Sequence, residues 1–338
     1  MLFSFPSIGQ FYQFVSKNKS RPVDKVTFIG SIKLHGTSGA IGYCERDGLW
    51  FQSHKKIITP EADNYKFAAT MKEKTHPIRS LMYSISEKYN INLAKYSIIV
   101  YGEFCGGNIQ KNVAITGLPV MFVIFDIAYV PISHNPEELK WLDIQKFPIP
   151  EELQKLVYNI LDFPTYTLEV EVDFSNLAEI RNHLIKLTED VERECPVGKY
   201  FGKSGTGEGI VWRASIKVGD KVEVHRFKVK GEEHSISKVT TMAAIDVEKA
   251  KTLEDFVNKT VTENRLKQGI AEIFGDEAQS QTWFQRIGKF NQWVVHDVKK
   301  EDMAAFPLDI KENEKALNRA ITDKCSRWFR HYVEMGAY

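Results

Sequence analysis

Lys33 lies in Ile32-Lys33-Leu34-His35-Gly36-Thr37, at the end of a β-rich run from Val26 to Leu34 and three residues ahead of a glycine. A strand end holds a lysine rigidly, and the glycine lets a bulky ligand approach the backbone. Such a lysine becomes a nucleophile when desolvation or neighbouring cations lower its pKa. Two apolar runs of strand length carry acids. Ser97 to Glu103 leads into Phe104-Cys105-Gly106-Gly107, and Val120 to Ile127 contains Phe125-Asp126. A glutamate at a strand end can orient a ribose or hold metal-bound water, and an aromatic ring offers a flat face to a base. Gly205-Thr206-Gly207-Glu208-Gly209 places a third carboxylate before an apolar run. The stretch from Gly198 to Gly202 before it superficially resembles a phosphate loop, but it has only three residues between its glycines where the motif needs four. Strand alternation over Arg226-Phe227-Lys228-Val229-Lys230 puts three cations on one face.

Singly, each feature has an ordinary explanation: a solvated lysine, a carboxylate closing a strand, a packed phenylalanine, a basic edge that resists aggregation. Together they share one chemical logic. A lysine nucleophile, two strand-end glutamates for a divalent metal, an aromatic for a base and paired lysines for phosphates would bind and activate a nucleotide. The lysines would also depress the Lys33 pKa by like-charge repulsion.

The elements that must hold these residues are mixed strand and helix. Arg46-Asp47-Gly48 between alternating runs predicts a hairpin. Glu61 to Tyr89 reads as helical with a break at His76-Pro77, and Pro150 to Leu161 opens like a helix N-terminus. Leu177, Ile180, Leu184, Leu187 and Val191 make an amphipathic helical face. Gly209 to Arg213 and Val222 to Lys230 are expected strands around a Val218-Gly219-Asp220 turn. After about Ala244 only helical spacing remains, in three stripes that begin at Leu253, Trp283 and Leu317. The last of these carries Lys324, Arg327 and Arg330 beside Trp328, a plausible surface for a phosphate backbone. Two domains are therefore expected, residues 1–240 and a helical 245–338, joined near Ser235 to Ile245.

Composition narrows the class. The 338 residues carry 45 Lys+Arg against 44 Asp+Glu, with 43% hydrophobic and 26% charged residues, as in an ordinary globular protein. That length exceeds what one core usually serves. No run reaches the apolar length of a membrane-spanning helix, and the first twenty residues lack the pattern of a secretory signal. Cys44, Cys105, Cys195 and Cys325 are far apart, with no CxxC pair, which speaks against a disulfide framework or a zinc site and for a reducing, cytoplasmic setting. Because the net charge is only +1, a nucleic-acid partner must be met by local basic patches.

With these residues in view, the chain resembles the nick-sealing RNA ligase 2 family of covalent nucleotidyltransferases, found in phages and their relatives. Lys33-Leu34-His35-Gly36-Thr37-Ser38 resembles motif I, and the run from Tyr101 to Val113 resembles motif III. Phe122 to Ile127 resembles motif IIIa, Gly207 to Arg213 motif IV, and Arg226 to Gly231 motif V. The motifs stand in the family order over roughly residues 25–235, and Val261 to Ile270 resembles the family's helical C-terminal domain. The resemblance implies an α+β fold, with an ATP-grasp-like nucleotidyltransferase domain of antiparallel sheets and helices followed by a smaller all-helical domain. It implies an ATP-dependent RNA ligase that joins 3′-hydroxyl and 5′-phosphate ends through a lysyl-AMP intermediate. Lys33 would be adenylylated, with Ile32 beside it. Glu103 and Glu208 would contact the ribose and organise the hydration shell of Mg2+ or Mn2+. Phe125 would stack on adenine, and Lys228 and Lys230 would hold phosphates. His35, Ser38, His54, Lys55 and Asp126 would serve the polynucleotide substrate.

The chain departs from the family at four places. The family's arginine after motif I has no clean match, His54 and Lys55 being the candidates for binding the 5′-phosphate end. Ser38 stands where the family usually has an asparagine that serves the sealing step, Ile32 where a glutamate is common, and Trp212-Arg213 where an aliphatic-lysine pair is usual. The expected partner is RNA, with no membrane, a monomer by default, and possible virus or phage origin. The competing readings are a DNA ligase or GTP-using capping enzyme, disfavoured by Lys33-Leu34-His35-Gly36 in place of KxDG and by a helical tail, and a catalytically silent nucleic-acid-binding relative.

Overall fold

A computed structural model describes residues 2–18, 25–63, 65–171, 177–218, 221–231, 253–275, 282–303, 306 and 310–334. The chain divides into two compact units, one of residues 1–8 with 21–228 and one of residues 9–20 with 229–338. Gly219 and Asp220 of the expected turn and the expected junction at Ser235 to Ile245 lie outside the described residues.

The first unit is built on two sheets, antiparallel but for one short parallel pairing. Strand β1 (Lys25–Lys33) alternates exposed and buried residues over most of its length, the period-two signature of a half-buried strand. It begins a sheet whose further members are named below. The other sheet contains β2 (Thr37–Cys44), β3 (Gly48–Ser53), β4 (Ile57–Ile58), β5 (Tyr96–Cys105), β6 (Met121–Pro131), β7 (Lys140–Trp141) and β8 (Val157–Asn159). Its order is β4-β3-β2-β5-β6-β7, with β8 pairing parallel to β6. The first sheet is completed by β9 (Thr165–Glu171), β10 (Gly209–Val218) and β11 (Lys221–Lys230), in the order β11-β10-β1-β9. The Arg46-Asp47-Gly48 turn joins β2 to β3 as expected, with Gly48 at φ 71°, a conformation cheap only for glycine. Strands β5 and β6 are buried along most of their length, which is why they read as continuous apolar runs.

One face of the larger sheet packs Ile41, Val100 and Phe122 against Phe67, Met71 and Met82 of two helices. Those helices, Phe67–Lys72 and Thr75–Lys88, fill the stretch expected to be helical from Glu61 to Tyr89, but the interruption is not at His76-Pro77. The break falls at residues 73–74. Pro77 sits in the first turn of the second helix, where its missing N–H has no partner to lose. The helix expected from Pro150 to Leu161 is absent. Two short 3-10 turns, Glu151–Leu153 and Ile160–Asp162, flank β8 instead. Val157 pairs with Phe122, and Lys155 turns the chain at φ 71°, so sheet pairing overrides the local helical preference. The amphipathic stretch forms the helix Leu177–Arg193, which buries Ile180, Leu184 and Val191.

Helices Phe11–Asn18, Leu253–Thr260, Glu263–Phe274, Thr282–Asp302 and Ile310–Glu334 belong to the second unit. Its core includes Phe256, Leu266, Phe290, Val294, Leu317 and Ile321. Arg265 is fully buried there: its guanidinium lies 2.9 Å from Asp297 and 2.7 Å from Asp302, and it donates to the Thr260 carbonyl at 2.5 Å. On the last helix the ring at the centre of the core is Phe329, while Trp328 is only partly buried, stacked on Phe290 and Tyr332. Arg327 and Arg330 are exposed, whereas Lys324 donates to Asn258 at 3.0 Å.

Candidate active site

A cavity of about 250 Å³ in the first unit is lined by residues of both sheets and by Phe5 to Ile8. The sheet registers explain how it forms. Lys33 is the last residue of β1 and pairs with Gly209 of β10. Glu208, one residue earlier, is thereby delivered beside the lysine: its Oε2 lies 2.7 Å from Lys33 Nζ and 3.4 Å from His35 Nδ1. The carboxylate is 2% exposed and the lysine side chain 23%, so the pair is shielded yet reachable from the cavity. In the other sheet Ser38 pairs with Glu103, and both line the cavity. Gly36 allows the connection, because a Cβ there would stand 2.4 Å from the carbonyl oxygen of Phe104. Any other residue would push the Lys33 turn away from the strand that carries Glu103.

Phe125 reaches the cavity through a β-bulge. Gly102 of β5 pairs with Ile124 and Tyr101 with Asp126, so Phe125 is the extra residue between them. A bulge re-aims a side chain that alternation would otherwise turn away. Its neighbour Asp126 also lines the cavity but is 1% exposed, and Arg226 donates from Nε to its Oδ2 at 2.7 Å. The Arg226 guanidinium stacks 4.2 Å over the Trp141 ring and 5.2 Å over Phe5. Arg213 stands 3.5 Å from the same carboxylate and 2.8 Å from Asp143. Burial pushes the Asp126 carboxyl up and the Arg226 guanidinium down, and their mutual attraction opposes both shifts.

These contacts amend the expected row of three cations. Arg226 and Lys228 both line the cavity, but the Arg226 guanidinium is committed to the Asp126 carboxylate. Of the other expected residues, Ile32 and His54 line the cavity, His35 and Glu208 do not line it but lie 3.4 Å from each other, and Lys55 is exposed beside His54 without lining it. Lys230 is grouped with the second unit. Sequence reasoning missed the contributions of Phe5 to Ile8, Ile160 and Trp141, none of which stands in a recognisable motif.

The charge state of Lys33 also differs from expectation. Burial alone would lower its pKa, but the Glu208 and Glu103 carboxylates outweigh burial and hold it above the ordinary lysine value. The lysine rests as an ammonium. The sign gives a test: Glu208→Gln removes a charge that favours protonation, so the neutral amine should appear at lower pH. Acetylation of Lys33 in the nucleotide-free protein, followed by peptide mass spectrometry across pH, should show its onset shifted down relative to wild type. An unchanged onset would mean that Glu208 does not govern the proton.

Comparison with known proteins adds an independent line. A family model described as RNA ligase matches residues 26–230, more than half of the chain. No curated protein matches significantly in sequence. Among solved structures, a variant of Naegleria gruberi RNA ligase with ATP and Mn is similar at a TM-score of 0.42 and 16% identity, over 69% of this chain and 58% of that one. The same enzyme with PPi gives a TM-score of 0.40 and 16% identity, over 69% and 59%. This chain thus spans less than three fifths of the length of those proteins. Among the described residues no helix is long and apolar enough to cross a membrane.

Proposed function

The chain belongs to the RNA ligase family, and from that premise we propose that it is an ATP-dependent ligase joining RNA 3′-hydroxyl and 5′-phosphate ends through a lysyl-AMP intermediate. The observation that carries this reading is the Lys33–Glu208 pair opening onto a cavity that also presents Glu103, Phe125 and Lys228. In the first step Lys33 Nζ, once deprotonated, attacks the α-phosphorus of ATP. A phosphoramidate bond forms, the bond to the β-phosphate oxygen breaks, and pyrophosphate leaves. Lys228, which lines the cavity, offsets the charge that builds on the phosphate oxygens. Phe125 offers its ring to adenine. In the second step AMP passes to the RNA 5′-phosphate. In the third the 3′-hydroxyl displaces AMP to make the phosphodiester, with Ser38, His35, His54 and Lys55 nearest the polynucleotide and Asp126 held from behind by Arg226.

A magnesium or manganese ion fits the donor set, because two carboxylates already bias Lys33 electrostatically and oxygen donors suit hard cations. Glu103 and Glu208 would hold it, through water, since Glu208 is engaged with Lys33 and His35. Bound there, the ion would neutralise phosphate charge and weaken the hold of the carboxylates on the lysine proton.

The test is incubation with labelled ATP or GTP, followed by a panel of nicked and single-stranded RNA and DNA. ATP labelling with sealing of nicked duplex RNA is the expected result. Labelling by GTP alone would favour a capping-type enzyme, DNA-only sealing a DNA ligase, and neither a silent binding relative. In the proposed organisation the helical tail serves the RNA. A chain ending near Ala244 should still label with ATP but bind and seal a nick poorly, with a flatter salt dependence. Undiminished sealing would remove the tail from substrate binding, and loss of labelling would make it structural.

A further inference from the structure

Cys44, Asp47 and His134 present a sulfur, a carboxylate oxygen and an imidazole nitrogen that all lie within 4.8 Å of one another. We propose that they bind one borderline-soft divalent metal ion, zinc being the best match, and that the ion fastens the β2–β3 hairpin to the chain leaving β6.

Three separate elements supply the donors. Cys44 ends β2, Asp47 lies in the tight turn to β3, and His134 follows β6 by three residues. His134 adopts φ 59° and its amide donates to the Pro131 carbonyl at 2.8 Å, a turn that folds the ring back over the sheet end. The edges of Phe3 and Trp50 flank that ring at centroid distances of 5.7 and 5.8 Å. Asp47 Oδ2 lies 3.5 Å from Cys44 Sγ and 3.5 Å from His134 Nε2. A tetrahedral zinc with bonds of about 2.3 Å to sulfur and about 2.0 Å to nitrogen or oxygen needs ligand separations of about 3.3–3.5 Å. Both distances measured from Asp47 therefore already suit the ion.

The surroundings suit it as well. The Asp47 amide points at Cys44 Sγ at 3.4 Å, a contact that favours a thiolate. Half-exposed Arg46 grips the Asp47 carboxylate at 2.7 and 2.8 Å and fixes its orientation. Ser97 Oγ lies 2.9 Å from His134 Nε2, where it can serve as the fourth ligand or bind the water that takes that place. A sulfur, nitrogen and oxygen set selects zinc over magnesium. On binding, the metal–sulfur bond forms as the thiol proton leaves to solvent. The site is separate from the Lys33 cavity: Cys44 is six residues along β2 from Ser38, about 20 Å at strand rise. The role is a staple, stabilising the folded state by mass action.

The full-length protein, stripped with a chelator, should take up one equivalent of zinc in calorimetry and melt at higher temperature with it. Cobalt in its place should give a thiolate-to-metal charge-transfer band. Cys44→Ser should abolish the band, and Asp47→Asn should weaken zinc binding by roughly tenfold or more. Absence of the band in the wild type, or its survival in Cys44→Ser, would overturn the site. Should Cys44→Ser fail to fold, Asp47→Asn, altered at a partly exposed turn, decides: unchanged zinc affinity would overturn it. Stripped protein resupplied with magnesium should still label with ATP. Labelling that only zinc restores would overturn the separation of the two sites, independently of whether the protein is a ligase.

Discussion

Lys33→Ala protein should form no covalent AMP adduct, the largest loss of activity expected of any single substitution. Lys33 is the cavity-lining lysine that Glu208 holds at 2.7 Å, and alanine offers no nucleophile. The same change leaves the Glu208 carboxylate, 2% exposed, without its cation, so some stability is lost with the chemistry. Lys33→Arg separates the two effects. A guanidinium keeps the charge beside Glu208 but stays protonated at any usable pH, so it should restore the melting temperature and still give no adduct. Labelled ATP with magnesium should tag wild type on one tryptic peptide, the one containing Lys33. A tag on another lysine, or one that survives both substitutions, would refute the lysyl-AMP mechanism.

Arg265→Met should be the most destabilising substitution in the second unit. The side chain is fully buried and meets two carboxylates, Asp297 and Asp302, the latter also fully buried. Methionine fills similar space but leaves both acids and the Thr260 carbonyl without their donor. Breaking a buried ion pair by removing one partner costs about 3–5 kcal/mol. Urea unfolding of the full chain, followed by far-ultraviolet circular dichroism, should show a transition at lower urea for the variant. Adding Asp302→Asn should recover part of the loss, since an amide buries more cheaply than an orphaned carboxylate. If Arg265→Met unfolds with the wild type, the guanidinium is not what organises that core.

Much of the fold was legible because its signals are local. The hairpin at Asp47-Gly48, the buried runs of β5 and β6 and the helical stripes follow from turn chemistry and period. What failed was local preference set against distant pairing: Pro150 to Leu161 has a helix opening, but Val157 is claimed by Phe122. The candidate site was legible as a set of residues and not as a network. Glu208 was expected near a nucleotide, yet that it would hold Lys33 protonated depends on Gly209 pairing with Lys33 across 176 positions of chain. Arg226 looked like part of a phosphate clamp because its partner Asp126 is 100 residues away. The Cys44 cluster was hidden for the same reason, since its histidine lies ninety residues downstream on another element.

The bulge at Phe125 has a consequence for how this cavity can be altered. The ladder between β5 and β6 skips that residue, so its side chain is not tied to the pleat of its neighbours. Deleting it would join Ile124 directly to Asp126 and leave a regular ladder, removing the ring without turning the rest of the strand over. An insertion in β6 ahead of Ile124 would instead send the side chains after it to the opposite face, Asp126 included. The sheet therefore carries this cavity-lining ring as a detachable part, and the cavity surface can be recut while the register that positions Glu103 and Ser38 stays put.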